Sequence, residues 1–329
     1  MNVLVTGAAG YIGSHAVRGL LLGGHQVVAL DNLSRGHREA LNPKVPFVES
    51  DVRDTQTVLE ALRRYRIDCV MHFAAFIAVG ESVTNPLLYY NNNTAGTLSL
   101  LSAISQSECR KLVFSSTAAT YGEPSAMPIC EDTAQLPINP YGASKLFSER
   151  MIRELREVLQ GFSFAILRYF NVAGAAPDGS LGEHHDPETH LIPVIIQAAL
   201  GQREKVVLFG DDYPTADGTC ISDYIHVEDL VDAHVAVMQA LKPNEERIYN
   251  LGIGRGYSVK EIIDAARAVL GKPFEVEIGP RRPGDPPELY ANPSKINTEL
   301  GWKASRTDIG KTIESAWRWF REHPNRYSD

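Results

Sequence analysis

The sequence lacks the features that would point to an oxidising compartment or a cysteine-based metal site. It has only four cysteines in 329 residues, and none forms a C-x-x-C pair: Cys69, Cys109, Cys130 and Cys220. Scattered cysteines of this kind are typical of free thiols in a reducing compartment rather than of a disulfide framework or a zinc site. We therefore expect a cytoplasmic protein with no disulfide and no bound metal.

Long apolar runs and basic segments are also missing. No stretch approaches the ~20 apolar residues that cross a bilayer, and the start of the chain, Met1–Gly7, has no charged segment or cleavage site of a signal peptide. The 32 basic and 40 acidic residues give a formal net charge of −8, which argues against a polyanionic partner. The composition thus predicts no membrane and no nucleic-acid partner.

Short apolar runs alternate with helical patterns through the first half of the chain. Helices are expected near 12–22, 55–65, 94–105 and 141–159, and they separate strands at Val3–Val5, Val27–Leu30, Phe47–Glu49, Val70–Phe73, Leu112–Ser115 and Phe164–Leu167. Repeated βα units predict an α/β fold with a doubly wound parallel sheet of the Rossmann type. Any ligand is then expected along one edge of that sheet.

The second half of the chain has longer loops and shorter predicted elements. Pro, Gly, Asp and His become frequent in the loops 173–187 and 210–219, and long ordered loops in compact enzymes are commonly binding loops. We expect residues 1–168 to form an NAD-binding Rossmann domain. Residues 169–329 are expected to form a smaller C-terminal α/β lobe for substrate, with some segments returning to the first domain.

A glycine-rich turn follows the first predicted strand directly. Gly7, Gly10 and Gly13 are spaced G-x-x-G-x-x-G, which allows a tight turn and close approach of the backbone to a pyrophosphate at a helix N-terminus. Asp31 ends the second predicted strand, where a carboxylate binds the adenosine ribose of NAD and repels a 2′-phosphate. Arg35 lies nearby, so NADP stays open as an alternative.

Tyr141 and Lys145 are four residues apart, and on a helix this spacing places both on one face. A phenol titrates near ~10, and a neighbouring cation favours the phenolate, which can accept a proton from a hydroxyl group. Y-x-x-x-K alone also occurs by chance on ordinary helices. Its position downstream of the glycine turn and of Ser115–Thr117 favours a proton-transfer site.

These motifs resemble extended short-chain dehydrogenases/reductases, and specifically the UDP-glucose 4-epimerase family. The resemblance runs through the chain in collinear order, over Thr6–His15, His72–Ala75, Ala78–Ser82, Tyr90–Thr97, Ser115–Gly122, Pro140–Lys145, Leu167–Asn171, Asp223–Val227, Tyr249–Gly252 and Arg281–Asp285. It implies an NAD-dependent 4-epimerase that interconverts UDP-glucose and UDP-galactose through a 4-keto sugar. It also implies a homodimer formed through the helices that contain Thr94–Ser105 and Tyr141–Leu159.

The resemblance assigns expected roles to individual residues. Tyr141, Lys145 and Thr117 would be catalytic, with Lys145 lowering the pKa of Tyr141. Besides these three, NAD would contact the glycines and Tyr11, Ile12, Asp31, Asn32, Asp51, Val52, Phe73, Ala74, Ala75, Asn92 and Phe170. The UDP-sugar would contact Thr117, Tyr141, Asn171, His190, Leu191, Val207, Leu208, Phe209, Arg282, Asp285 and Leu289. For Asp51, capping of the helix near Thr55 is an alternative role.

Some positions depart from the family pattern or leave the function open. Ser222 stands where many relatives carry an arginine that binds the diphosphate, and Leu289 is smaller than the tyrosine of relatives restricted to plain hexoses. Ala118 and Ala119 replace the Asp-Glu pair of the related dehydratases, which argues against loss of water. A 4-epimerase of another UDP-sugar, with an N-acetyl, pentose or uronate substrate, remains an alternative. So does a catalytically silent NAD-binding regulatory protein.

Overall fold

A seven-stranded parallel sheet forms the centre of the molecule, for which a computed structural model describes residues 1–282 and 284–327. The strand order is β11-β6-β5-β4-β1-β2-β3. The strands are β1 (Asn2–Thr6), β2 (Gln26–Asp31), β3 (Phe47–Glu49), β4 (Cys69–His72), β5 (Lys111–Thr117), β6 (Ser163–Tyr169) and β11 (Glu246–Leu251). The doubly wound Rossmann-type fold expected from the sequence is therefore confirmed.

Helices cover both faces of this sheet. They include α1 (Tyr11–Leu22), α2 (Thr55–Arg64), α3 (Val79–Thr84), α4 (Pro86–Tyr89), α5 (Ala95–Ser105), α6 (Pro140–Val158) and α8 (Val227–Ala240). Val3 and Val5 pack into the core on the α1 and α8 side, whereas Leu4 packs into the core on the other side. Because both faces of β1 are buried, its sequence is continuously apolar rather than alternating.

Most of the remaining elements form a smaller assembly at the carboxyl edge of the sheet. Helices α7 (Leu191–Ala199), α9 (Val259–Leu270) and α11 (Ile309–Glu322) share an apolar core. Helix α10 (Ser294–Leu300) follows the short strands, which are β7 (Asn171–Ala173), β8 (Val206–Phe209), β9 (Ile221–Ser222), β10 (Tyr224–His226), β12 (Tyr257–Ser258), β13 (Val276–Gly279) and β14 (Glu288–Leu289). They pair as β10-β7, β12-β9-β14 and β13-β8.

Three segments from the second half of the chain, β11, α8 and α10, join the first layer of the fold, and Ile296 of α10 is buried in the same core as Leu230 of α8. Strand β11 pairs in parallel with β6, from Glu246 beside Phe164 to Leu251 beside Tyr169. Helix α8 packs so closely on α1 that a Cβ on Gly19 would lie 2.6 Å from Val231 Cγ1. Within the described residues, no helix has both the length and the apolar character needed to cross a membrane.

Candidate active site

A cleft of about 830 Å³ opens where β1, β2, β4, β5 and β6 end, between the large sheet and the smaller assembly. Every site residue expected from the sequence lies on its wall. These residues come from both halves of the chain and from twelve separate segments. The fold therefore brings together the whole expected set. Pro283, within the Arg281–Asp285 motif, lies outside the described residues.

The glycine turn connects β1 to α1 with no room for side chains. Gly7 has φ +67, and a Cβ there would lie 2.5 Å from the Ala74 backbone nitrogen. A Cβ on Gly13 would lie 2.0 Å from the Gly7 carbonyl oxygen. Gly10 precedes α1, which has no side-chain cap and no acidic residue in its first turn. The N–H groups at this helix end are thus available to an anion such as a pyrophosphate.

Asp31 ends β2 on the cleft wall and is 7% exposed. Its carboxylate accepts hydrogen bonds from the backbone N–H groups of Ala9 (2.9 Å) and Leu33 (2.8 Å), while burial raises its pKa from the ordinary value. Arg35, the one residue that kept NADP open, forms an ion pair with Glu81 at 3.1 Å. The turn and this carboxylate fit the pyrophosphate and ribose of NAD.

Asp51 lies beside Asn32 rather than at the start of a helix. Asn32 Nδ2 donates to Asp51 Oδ2 at 2.9 Å, and the Arg53 guanidinium binds both Asp51 oxygens at 2.8 Å and holds the pKa of that carboxyl well below its usual range. Asp54 caps α2, since its side chain accepts from Thr57 N at 3.0 Å. The alternative capping role considered for Asp51 is therefore wrong.

The start of α6 places the Tyr-Lys pair in the cleft. Asn139 caps this helix by accepting from Gly142 N at 2.8 Å, and Pro140 occupies its first turn, where a missing N–H costs nothing. Tyr141 and Lys145 then face the end of β5, where Thr117 lies beside Tyr169 of β6. Thr117 Oγ1 accepts from Ala119 N at 3.1 Å, which fixes the hydroxyl at the cleft wall.

The pKa values of the two α6 side chains move in opposite directions. Burial raises the pKa of Tyr141 to about 12, and a contact with the Thr117 hydroxyl opposes the shift. Burial lowers the pKa of Lys145 to about 7, and the Glu149 carboxylate opposes that shift. Lys145 Nζ donates to the Ser115 carbonyl oxygen at 2.7 Å. In the protein alone, burial therefore raises the pKa of Tyr141 in spite of the lowering expected from Lys145.

A buried ion pair beneath the Tyr-Lys pair was not found by sequence reasoning. Glu149 lies one turn after Lys145 and binds Arg168 of β6 through two contacts, of 2.7 and 3.0 Å, with both side chains 1% exposed. Ser116 Oγ and Gln135 Nε2 also donate to this carboxylate, at 2.5 and 3.0 Å. The network ties α6 to β5 and β6. Its only sequence signal was an acidic residue four positions after Lys145.

The other half of the cleft carries the residues expected to bind substrate. Arg282 forms two contacts with Asp285, of 2.8 and 3.0 Å, and its guanidinium carbon lies 5.6 Å from the centre of the Phe209 ring. Leu289 in β14 pairs with Ser222 in β9, and both line the cleft. The remaining expected residues reach the same wall from β7, the start of α7 and β8: Asn171, His190, Leu191, Val207 and Leu208.

The geometry agrees with comparisons to known proteins. A model of the NAD dependent epimerase/dehydratase family matches residues 3–252. The UDP-glucose 4-epimerase of Lacticaseibacillus casei is 49% identical over 330 residues, covering 100% of this chain and 99% of that protein. A UDP-glucose 4-epimerase from Brucella ovis in complex with NAD has a TM-score of 0.92 and 46% identity, covering 97% of this chain and 98% of that one.

A third comparison is with a structure that holds two ligands. The crystal structure of the UDP-glucose 4-epimerase from Bifidobacterium longum in complex with NAD⁺ and UDP has a TM-score of 0.95 and 40% identity, and the match covers 99% of each chain. Family, fold and full-length similarity therefore agree. This chain belongs to the NAD dependent epimerase/dehydratase family.

Proposed function

We propose that this protein interconverts UDP-glucose and UDP-galactose by inversion at C4 of the sugar, as one step of galactose metabolism. The observation that carries the proposal is the meeting of Tyr141, Lys145 and Thr117 in one cleft with a dinucleotide-type turn. NAD, when bound, supplies reversible oxidation at a carbon that bears a hydroxyl group. The residues of this chain would bind both ligands and move the hydroxyl proton.

In this account Tyr141 is the group that removes and returns the proton of the sugar 4-hydroxyl, and Thr117 positions that hydroxyl. The pKa of Tyr141 is raised to about 12, by burial first, so the phenolate must be favoured by cations. Lys145 supplies one, and the positive charge of the bound dinucleotide ring would supply another. Loss of water from the keto sugar lacks its acid and base, because Ala118 and Ala119 follow Thr117.

Arg282 is proposed to bind the diphosphate of the nucleotide sugar. A guanidinium can contact two phosphate oxygens at once, and Arg282 lies on the cleft wall next to Phe209. Its contacts with Asp285 occupy the same donors in the protein alone. A diphosphate that binds these donors would replace the Asp285 carboxylate as their partner. Ser222 offers no second guanidinium to share the charge of the diphosphate.

The same cleft supports a second candidate substrate class, the N-acetylated UDP-hexoses. Leu289 lines the cleft and leaves more space than a tyrosine would at the same position. An added group in an apolar pocket changes selectivity by only ~1–3 kcal/mol, so acceptance of both classes fits the site. The choice between plain and N-acetylated hexoses depends on the volume beside this side chain.

A panel of UDP-sugars tests the proposed function. The purified protein is mixed with UDP-galactose, UDP-N-acetylgalactosamine, UDP-arabinose or UDP-glucuronate without added NAD, and the 4-epimers are quantified by chromatography. Turnover of UDP-galactose to UDP-glucose is expected, and additional turnover of UDP-N-acetylgalactosamine would support the second candidate. Turnover of UDP-arabinose or UDP-glucuronate alone would favour a 4-epimerase of another UDP-sugar, whereas absence of turnover with the whole panel would refute an epimerase and favour the silent NAD-binding protein.

We also propose a homodimer in the cytoplasm. The outer surfaces of α4, α5 and α6 expose Leu87, Leu98 and Phe147, which are 78%, 54% and 46% exposed. Exposed apolar side chains that lie together mark interaction surfaces. All four cysteines are free thiols, as is usual in a reducing compartment.

A further inference from the structure

Four potential metal ligands converge in the loop that leads into α7. Glu183, His185, Glu188 and His190 each offer one ligand atom, and these atoms lie within 4.8 Å of one another. The closest approaches are His190 Nδ1 to Glu183 Oε1 (2.7 Å), His185 Nδ1 to Glu183 Oε1 (3.3 Å), His190 Nδ1 to Glu188 Oε1 (3.5 Å) and His185 Nδ1 to Glu188 Oε2 (3.7 Å). No part of the epimerase chemistry requires this arrangement.

The converging atoms have no hydrogen-bond partners in spite of these short distances. Glu183 Oε1, Glu188 Oε2 and the Nδ1 atoms of both histidines are buried and lack a partner of acceptable geometry. Glu183 and Glu188 are only 4% and 6% exposed. Burying carboxylate oxygens and imidazole nitrogens without hydrogen bonds is costly. A cation at the centre of the cluster would remove that penalty.

The distances around Glu183 and His185 fit a tetrahedral ion. Zinc bonds of ~2.0–2.1 Å to imidazole nitrogen and carboxylate oxygen place neighbouring ligands ~3.3 Å apart. His185 Nδ1 lies 3.3 Å from Glu183 Oε1 and 3.7 Å from Glu188 Oε2, close to that value, whereas His190 Nδ1 and Glu183 Oε1, at 2.7 Å, would move apart on binding. Two carboxylates also neutralise a divalent charge. We propose that Glu183, His185, Glu188 and His190 bind one divalent transition-metal ion, and that Zn²⁺ is the ion whose geometry fits best.

A second layer of contacts orients this ligand set. Glu188 Oε1 accepts hydrogen bonds from the backbone N–H groups of Thr189 and His190, both at 2.9 Å. Arg203 Nη2 donates to the Glu188 carbonyl oxygen at 3.2 Å. Such partners fix the rotamer of a ligating carboxylate and maintain metal affinity. Glu188 is therefore held in place by the fold before an ion binds.

The proposed ion has a structural role in the cleft wall. All four protein ligands are present, so a tetrahedral ion has no open position for substrate or water. His190 is the residue directly before α7, and the His185 ring lies edge-on to Tyr11 with 6.4 Å between ring centres. The ion would therefore join the substrate side of the cleft to the glycine turn. Proton transfer remains with Tyr141.

Cobalt titration of the full-length protein tests the proposal directly. The purified chain is treated with a chelator, dialysed and titrated with Co²⁺, whose visible absorption is intense only in tetrahedral coordination. We expect one Co²⁺ per chain with a tetrahedral spectrum that added Zn²⁺ abolishes, and a higher Tm when Zn²⁺ is present. An octahedral spectrum, or no saturable uptake, would overturn the proposal and leave a cluster of protonated histidines and carboxylates.

Two variants locate the ion within the chain. Glu183→Gln keeps the shape of the side chain but removes its charge, so Zn²⁺ affinity should fall at least ~10-fold, as losses at metal sites commonly do. His184→Ala is the matched control, because His184 lies between two ligands in sequence but its ring stacks on His37 at 4.4 Å. Equal Zn²⁺ affinity in Glu183→Gln and the parent would contradict the assignment, as would loss of binding in His184→Ala alone.

Discussion

The Tyr141 phenol lies where burial opposes its proposed role as a base. Its pKa is raised to about 12, by burial first, whereas burial lowers the pKa of Lys145 to about 7. Both shifts have one cause, because a buried site disfavours whichever form carries charge. Bound ligands that bring positive charge into the cleft would favour the phenolate. The acidity of these two groups should consequently differ between the free and the nucleotide-bound protein.

The lowered pKa of Lys145 should make the free energy of unfolding depend on pH. An unfolded lysine titrates near ~10.4 and Lys145 in the fold at about 7, so the unfolded state binds the extra proton between these values. The free energy of unfolding should therefore rise with pH from about 7 to ~10. The stability of Lys145→Met relative to the parent should therefore be greater at pH 6 than at pH 10, by an amount on the order of 4 kcal/mol.

Urea denaturation at pH 6, 8 and 10 measures this difference. Lys311→Met, on an exposed lysine of α11, is the control and should change the free energy of unfolding by the same small amount at every pH. A difference between Lys145→Met and the parent that stays constant across the range would mean that Lys145 titrates normally in the fold.

Residue identities were predictable from sequence where the signal was local. The glycine turn, Asp31 and the Tyr141/Lys145 spacing could all be read from short motifs, and the structure places them in one cleft. Glu149 and Arg168 were not predictable, because 19 residues separate them and only the β6 register brings the guanidinium to α6. The cluster at Glu183–His190 was also missed, since E-x-H-x-x-E-x-H depends on a loop conformation that no periodicity specifies.

At the scale of elements, the contact between α6 and the end of β5 determines where Tyr141 lies. A Cβ on Gly142 would lie 2.3 Å from the Ala119 carbonyl oxygen. Gly142→Ala should therefore move the start of α6 away from Thr117 and destabilise the fold by roughly 1–3 kcal/mol. A displacement of about 1 Å can cost ~10²-fold in turnover, so kcat should fall far more than NAD affinity.

Steady-state kinetics and a fluorescence titration with NAD check this prediction. Arg150→Ala, on the solvent-exposed side of α6, should leave kcat and NAD affinity unchanged. If Gly142→Ala turned over at the parental rate, the close contact with Ala119 would not determine the position of Tyr141.

The buried ion pair gives a second prediction for the same elements. Glu149→Gln leaves the Arg168 guanidinium buried without a counter-charge, and breaking a buried pair in this way commonly costs ~3–5 kcal/mol. A marked fall in Tm is expected by calorimetry. Glu154→Gln, on an exposed glutamate of the same helix, should have almost no effect. Equal Tm values for the two variants would show that the network contributes little to stability.

The strands of the large sheet were easier to predict from the sequence than the short strands of the smaller assembly. Each predicted strand of the first half is present, because strands buried on both faces leave a continuous apolar run. The short strands β7, β9, β10, β12 and β14 were missed, since runs of two or three residues carry no period. The π-helical turn at Tyr90–Thr94, which carries Asn92 into the cleft, was also missed.

At the scale of the whole molecule, the exposed apolar surface of α4, α5 and α6 predicts a dimer. Leu98 of α5 is 54% exposed and Phe147 of α6 is 46% exposed, and the hydrogen bond from Ser148 to Thr97 joins the two helices next to these residues. Leu98→Arg should place an unpaired charge in the interface and yield monomers. Sedimentation velocity measures the mass, which should be twice the 36.2 kDa chain mass for the parent.

Leu22→Arg serves as the control for this prediction. Leu22 is 74% exposed but belongs to α1, away from the proposed interface, so this variant should remain dimeric. A monomeric parent, or a Leu98→Arg variant that sediments as a dimer, would place the interface elsewhere.

The Tyr141→Phe variant tests whether Tyr141 moves the hydroxyl proton, since it removes one oxygen atom from the proposed proton-transfer site. The parent and the variant, both full length and without added NAD, are mixed with UDP-galactose, and formation of UDP-glucose is followed by chromatography. The variant should fold, retain NAD and lose ~10²–10⁴-fold in turnover, the usual contribution of a positioned acid or base. Near-parental turnover in Tyr141→Phe would rule out Tyr141 as the group that moves the hydroxyl proton.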